Sequence, residues 1–230
     1  GLPEPAGVLA GSTPKFEATW AFASNRVTFS AFSVEGANGA LNGSGNYDLG
    51  DRLFSMDLSA SIPDMTHLSP TLGRPVSGSF SANAALAGNP GDFTCKGSVK
   101  TERVLLQGLS LPTMNATVDL AHLPVAAQGP VLLEAALPQG LPKLTAGGRF
   151  VQGNNSIALT GMTIKNGQNS AAGNISYDMG KKLLDASFDA DLPDLSPLGA
   201  FLGHALGGGA KAKGTLTRSE GRIALKSDFS

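Results

Sequence analysis

Along much of the chain apolar and polar residues alternate one for one. Phe54, Met56, Leu58, Ala60 and Ile62 alternate with Ser55, Asp57, Ser59 and Ser61. Leu184, Ala186, Phe188, Ala190 and Leu192 alternate in the same way with Asp185, Ser187, Asp189 and Asp191. Successive side chains of a β-strand point to opposite faces, so these runs predict strands with one apolar and one wet face. Weaker alternation marks residues 76–86, 93–99, 114–120, 131–137, 157–164 and 210–216. Asn38-Gly39, Asn42-Gly43, Gly88-Asn89-Pro90-Gly91 and Asn166-Gly167 supply turn signals among them. Short strands at this spacing predict an antiparallel, all-β architecture.

Helix signals are scarce, and at most one or two short helices are expected. The best candidate covers residues 195–206, with Ser196 as N-cap and Pro197 at the first helical position. Leu198, Phe201, Leu202 and Leu206 then share a face, and Gly207, Gly208 and Gly209 stop the helix. The other segments read as strand or turn.

A displacement of 130 positions lays residues 27–99 on residues 157–229 without a gap. Tyr47-Asp48-Leu49-Gly50 falls on Tyr177-Asp178-Met179-Gly180, and Ile62-Pro63-Asp64-Met65 on Leu192-Pro193-Asp194-Leu195. Leu72-Gly73 falls on Leu202-Gly203, and Gly78, Ala82 and Leu86 fall on Gly208, Ala212 and Leu216. Only about one position in five is identical, yet the alternation stays in phase, where a one-residue slip would invert every strand face. The expectation is two copies, at about residues 27–100 and 157–230, joined by linking strands in 101–156. An extended sheet of about sixteen to twenty strands follows from that spacing, and sheets of that size curl.

The second copy runs through Leu192-Pro193-Asp194-Leu195-Ser196-Pro197-Leu198 to a Gly-rich exit at residues 206–214. The first has the same layout from Ile62-Pro63-Asp64-Met65-Thr66-His67-Leu68-Ser69-Pro70 to Gly78. In this layout the chain resembles the repeats of the TamB/AsmA group over about two-thirds of its length. The resemblance implies a taco-like folded sheet with an apolar lumen, in a protein anchored in the bacterial inner membrane and extending across the periplasm. It carries over no catalytic residue. It implies phospholipid acyl chains as cargo and an outer-membrane assembly protein of the TamA/BamA type as partner. The membranes would be reached through parts of a parent chain outside this sequence.

Alternation leads toward the same place without the family. A sheet with one apolar face either packs that face against a second sheet, as a sandwich or barrel core, or curls so that the face becomes a trough. In the trough, Ala and Gly keep the lumen wide. Phe54, Met56, Leu58, Ile62, Phe80, Phe93, Leu184, Phe188, Leu192, Phe201, Ile223 and Phe229 are the candidate groove-lining, lipid-contact residues. Each methylene buried there is worth about 0.8 kcal/mol.

Composition sharpens this picture in three ways. The 230 residues include 30 Gly and 14 Pro but only 6% aromatics, which suits many turns over a thin apolar layer better than one thick core. Charged residues make up 15% with a net charge of -1, so the basic excess that nucleic acid requires is missing. A lone Cys95 excludes a disulfide framework. No run of about 18 apolar residues is present. The Gly1-Leu2-Pro3 start and the Asp228-Phe229-Ser230 stop inside a strand-like pattern read as the ends of a piece excised from a longer chain.

Candidate chemistry thins out under inspection. Gly209 and Gly214 have phosphate-loop spacing, but Thr215 stands where that loop requires Lys. His67, His122 and His204 lack metal-ligand spacing and read as surface residues. Asp64 and Asp194 occupy equivalent places after Pro and read as turn residues bonding backbone N–H groups. No Gly-x-Ser-x-Gly elbow occurs, and Cys95, in phase with Phe93, reads as an inward apolar residue. The Asn115 and Asn154 sequons and the Lys181/Lys182 and Lys211/Lys213 pairs read as chance matches and solvated faces. No cofactor, no metal and no enzymatic activity are expected. Phospholipid transport between inner and outer membranes is the leading expectation, in a periplasmic segment. Assembly of outer-membrane β-barrel proteins through edge strands is the first alternative, and an adhesin-like β-solenoid the second.

Overall fold

A computed structural model describes residues 14–230 except 74, 107–108, 139–140, 198, 200–203 and 220–221. Among these residues the protein is all-β, with fourteen strands. That is fewer than the sixteen to twenty expected, because several strands are longer than the alternating runs that announce them.

The chain divides at Pro124/Val125 into two units. The first holds β1 (Lys15–Ala23), β2 (Arg26–Gly36), β3 (Gly39–Asp48), β4 (Phe54–Ile62), β5 (Val76–Asn89), β6 (Asp92–Leu106) and β7 (Leu109–Leu123). The second holds β8 (Gln128–Ala136), β9 (Leu144–Gln152), β10 (Ser156–Asn166), β11 (Asn169–Asp178), β12 (Leu183–Leu192), β13 (Ala210–Ser219) and β14 (Arg222–Phe229). Within each unit every strand pairs antiparallel with the next, a plain meander. Among the described residues β1 and β14 are each paired on one side.

Tight turns set the registers. Ser24 and Asn25 adopt positive φ between β1 and β2, the conformation that two-residue hairpins favour. Asn38-Gly39 and Asn166-Gly167 lie at hairpin turns as expected. Asn42-Gly43 does not: both residues lie inside β3, paired with Ser33 and Phe32. A Cβ at Gly43 would stand 2.5 Å from the Phe32 ring, so this glycine makes room for an aromatic and not for a turn.

The registers of the two units recur at an offset of 130. Val27 faces Tyr47 and Ile157 faces Tyr177; Ala60 faces Ala82 and Ala190 faces Ala212. Even the irregularity between Phe29 and Phe32 of β2 recurs between Leu159 and Met162 of β10.

Among the described residues helical structure is confined to short turns. A 3-10 turn, Met65–Leu68, runs into an α-turn, Ser69–Leu72, which Gly73 ends with a left-handed φ of 62°. Alternation did not announce this segment, since one turn is too short to carry a helical period. In the second unit Ser196, Pro197 and Gly199 are helical, and the Gly199 N–H donates to the Leu195 carbonyl at 2.9 Å. The Asp194 carboxylate accepts the Ser196 N–H at 2.9 Å, so the capping acceptor lies two residues before the expected one. Leu198, Phe201 and Leu202 lie outside the described residues.

Little is buried. Ile62, Met65, Val76 and Val104 form a small core at one end of the first unit, with Leu68, Phe80 and Leu111 packed against it. No described side chain is fully enclosed.

Candidate functional site

Directly opposed residues of an antiparallel pair share a face, so the registers convert the alternating runs into continuous apolar rows. In the first unit one row runs Tyr47, Phe54, Gly88, Phe93, Leu123 across β3 to β7. Beside it run Gly45, Met56, Leu86, Cys95, Leu120 and then Gly43, Leu58, Ala84, Gly97, Val118. Ile62, Phe80, Thr101 and Met114 close the end of the face. In the second unit the rows are Tyr177, Leu184, Arg218, Ile223; Ile175, Ala186, Leu216, Leu225; and Gly173, Phe188, Gly214, Ser227.

The candidate residues therefore fall in two sets. Phe54, Met56, Leu58, Ile62, Phe80 and Phe93 share the apolar face of the first unit. Leu184, Phe188, Leu192, Ile223 and Phe229 share that of the second, with Leu192 opposite Ala210 and Phe229 opposite Ala212. Phe201 lies outside the described residues. Phe54, Met56, Leu58, Phe93, Leu184, Phe188 and Leu192 are half-buried by neighbouring strands alone. Ile62 is only 7% exposed, and Phe80 is packed against the same cluster, so these two belong to the small core. Ile223 and Phe229, on an edge strand, are 66% and 75% exposed.

Glycine has a sharper role than that of a spacer. Gly88 lies between Phe54 and Phe93, whose ring centroids come within 5.5 Å. Phe188 faces Gly173 on one side and Gly214 on the other, and a Cβ at Gly214 would stand 2.9 Å from its ring. Met56 bears in the same way on Gly45, and Leu159 on Gly148. Large side chains thus lie down over bare backbone, half-covered without a second layer. The high glycine content was the signal for this; the strand registers identify which glycine serves which ring. Around Phe188 a wide open depression of about 500 Å³ results.

The second unit also has an apolar recess of about 200 Å³, lined by Leu137, Leu144, Ile164, Ala171, Leu192 and Pro197. Two asparagines frame it. Asn169, 4% exposed, accepts the Asp194 N–H at 3.1 Å and donates to the Asp194 carbonyl at 2.6 Å. Asn166 donates to the Pro142 carbonyl. The alternating pattern did not identify either residue, because a buried amide that bonds backbone leaves no periodic trace.

Titratable groups are spent on structure. Asp48 accepts the N–H groups of Asp51 and Gly50 and meets Arg26, which together hold its carboxyl below the usual value. Thr66 does the same to Asp64 through its N–H and hydroxyl, and Ser196 to Asp194 through its hydroxyl and N–H. The Lys181 N–H is the main cause for Asp178. Burial, with the Asp119 charge second, pushes the Cys95 thiol up, which leaves it a poor nucleophile within an apolar row. His122 Nδ1 lies 3.2 Å from Asp92 at the surface. Among the described residues no three His, Cys, Asp or Glu come together in a way that could hold a metal, and no helix is long and apolar enough to cross a membrane.

Comparison with protein-family models, with curated proteins and with solved structures finds no match to this chain.

Proposed function

We propose that this chain is a non-catalytic β-segment whose apolar sheet faces shield lipid acyl chains during phospholipid transport between bacterial inner and outer membranes. The observation that carries the reading is the partly exposed apolar face: rows in which Phe54, Met56, Leu58 and Phe93, all half-buried, are interspersed with Gly and Ala. A dozen methylenes laid on such a face would gain on the order of 10 kcal/mol. The resemblance to the TamB/AsmA group supplies the setting, a periplasmic segment of an inner-membrane-anchored envelope protein. With it come two finer parts: the sheets curl into a taco-like trough, and the chain holds two copies of one unit. The recurrence of registers at an offset of 130 supports the second part.

Lipids extracted from the purified protein and identified by mass spectrometry test the proposal. The comparison is a variant carrying Met56→Asp and Phe188→Asp, with circular dichroism to verify its β content. Phospholipid on the parent, absent from the folded variant, is the expected result. A lipid-free parent overturns it.

Among the described residues β1 and β14 are each paired on one side, which supports a second reading, in which outer-membrane β-barrel proteins are handled by strand addition or groove contacts beside a partner of the TamA/BamA type. Nascent barrel strands captured by a lipid-free parent would select that reading.

A further inference from the structure

The apolar face of the second unit has unlike ends. At one end a cross-strand row runs Gln152, Ile157, Tyr177, Leu184, Arg218, Ile223 over β9 to β14. At the paired positions of the two units' apolar faces, Arg218 is the one charged residue among those described. Its strand is paired on both sides, so the registers with β12 and β14 fix the face on which it stands. Arg218 is exposed and joins no ion pair among the described residues. Two arginines on polar faces are engaged instead: Arg26 donates to Asp48 at 3.2 Å and Arg149 to Gln128 at 3.0 Å.

At the other end lies the apolar recess beside Leu192. Its framing amides are spent, Asn166 on the Pro142 carbonyl and Asn169 on the Asp194 carbonyl, so they offer the recess no free donor. Leu184, opposite Arg218, stands eight residues from Leu192 along β12, about 27 Å at the rise of a strand. Between those ends the paired positions of β12 and β13 on this face are Ala, Phe, Leu and Gly.

A cation at one end of a hydrocarbon surface suits a molecule that is anionic at one end and apolar along the rest. The guanidinium stays charged at any pH a folded protein meets, and its planar fork grips a phosphate through two parallel N–H···O bonds. Acyl chains laid beside that contact displace water and strengthen it. One leaflet's chains extend about 15 Å, half of a hydrocarbon core of about 30 Å, so a lipid anchored at Arg218 keeps its chains on the face.

Resting on the acyl-shielding function proposed above, we infer that Arg218 is a headgroup subsite: it takes the phosphate of a phospholipid whose acyl chains run along β12 and β13 toward Leu192. The lipid is thereby held in one orientation. The first unit has Gly88 at the matching place and no such anchor.

Calorimetric titration with dioctanoyl-phosphatidylglycerol and with dioctanoylglycerol, the same chains with and without phosphate, tests the subsite. The phospholipid is expected to bind about tenfold more tightly than the diglyceride. Arg218→Gln removes that advantage and leaves diglyceride affinity unchanged, which also shows the variant to be folded; Arg218→Lys keeps part of it. The Arg218 Nε–H signal in NMR shifts with the phospholipid and not with the diglyceride. Equal affinity of the parent for both lipids overturns the subsite and leaves acyl shielding standing. Binding of neither lipid overturns both. Inorganic phosphate that shifts the same signal at the same concentration as the phospholipid identifies a free-phosphate site and overturns the headgroup assignment.

Discussion

The two units share strand registers but finish their sheets differently. In the first, the turn at Met65–Leu68 caps the face, and Met65 packs with Ile62, Val76 and Val104 into the protein's small core. At the matching places of the second stand Leu195, Leu192 and Leu206, with Ala210 where the first unit has Phe80. Leu206 is exposed there, and in place of a packed cluster an amide clasp from Asn169 ties down the Pro193-Asp194 segment beside an apolar recess. Asn169 corresponds to Gly39, where a Cβ would stand 2.5 Å from the Ser61 carbonyl, so the first unit has no room for the clasp. The aromatic contact differs as well: Gly88 lets Phe54 and Phe93 meet, whereas Arg218 stands at the matching place between Leu184 and Ile223. The lesson is that backbone pairing sets where a face lies, while the side chains at its end differ between units that share a register.

The largest expected break in this comparison is Met65→Ala. Removing the keystone of the first unit's core costs about 3 kcal/mol, and Leu195→Ala in the second costs about 1 kcal/mol or less. Hydrogen exchange resolved by unit, with denaturant titration, separates the two losses. Next, Asn169→Ala leaves the Asp194 N–H and carbonyl without partners and costs about 2 kcal/mol, read as faster exchange confined to the second unit. A smaller effect of opposite sign comes from Thr101, 6% exposed, whose hydroxyl has no hydrogen-bond partner in the row between Phe80 and Met114. Thr101→Val stabilises the first unit by about 1 kcal/mol in the same titration.

The smallest effect is shared by both units and tests what they have in common. Asp48 and Asp178, and likewise Asp64 and Asp194, hold corresponding turns with folded carboxyls below their ordinary value of 3.8. A carboxylate of lowered pKa contributes stability that is present above the unfolded value and lost as pH falls through the folded one. Thermal unfolding followed from pH 6 downward is expected to hold steady to about pH 4 and decline in the acid range below 3.8. Asp64→Asn and Asp194→Asn each shallow that decline.

Much of the fold was legible because strand parity is a local property. The run from Phe54 to Ile62 matches β4 end to end, and the run from Leu184 falls one residue short of β12. Asn42-Gly43 misled because the same dipeptide serves a tight turn and a strand glycine lying under a ring. Asp64 reads as a turn residue, and its carboxylate accepts the Thr66 N–H, but residues 65–72 do not stand out as helical because two short turns, ended by Gly73, are too brief to show a period. The alternation put eleven of the candidate residues on the faces that the registers make apolar, but it could not separate Ile62 and Phe80 in the core from Ile223 and Phe229 at the edge. Within a strand all four follow the same rule.

The amino-acid sequence alone determined most of the strands and which face of each is apolar. Each of these depends only on neighbours along the chain and on turn residues. The tertiary structure alone decided coverage: which apolar side chains have a strand, a ring or a helical turn against them and which face solvent. Coverage depends on what stands one strand away, and in a sheet one strand away can be thirty residues off in sequence, as Phe93 facing Leu123 illustrates.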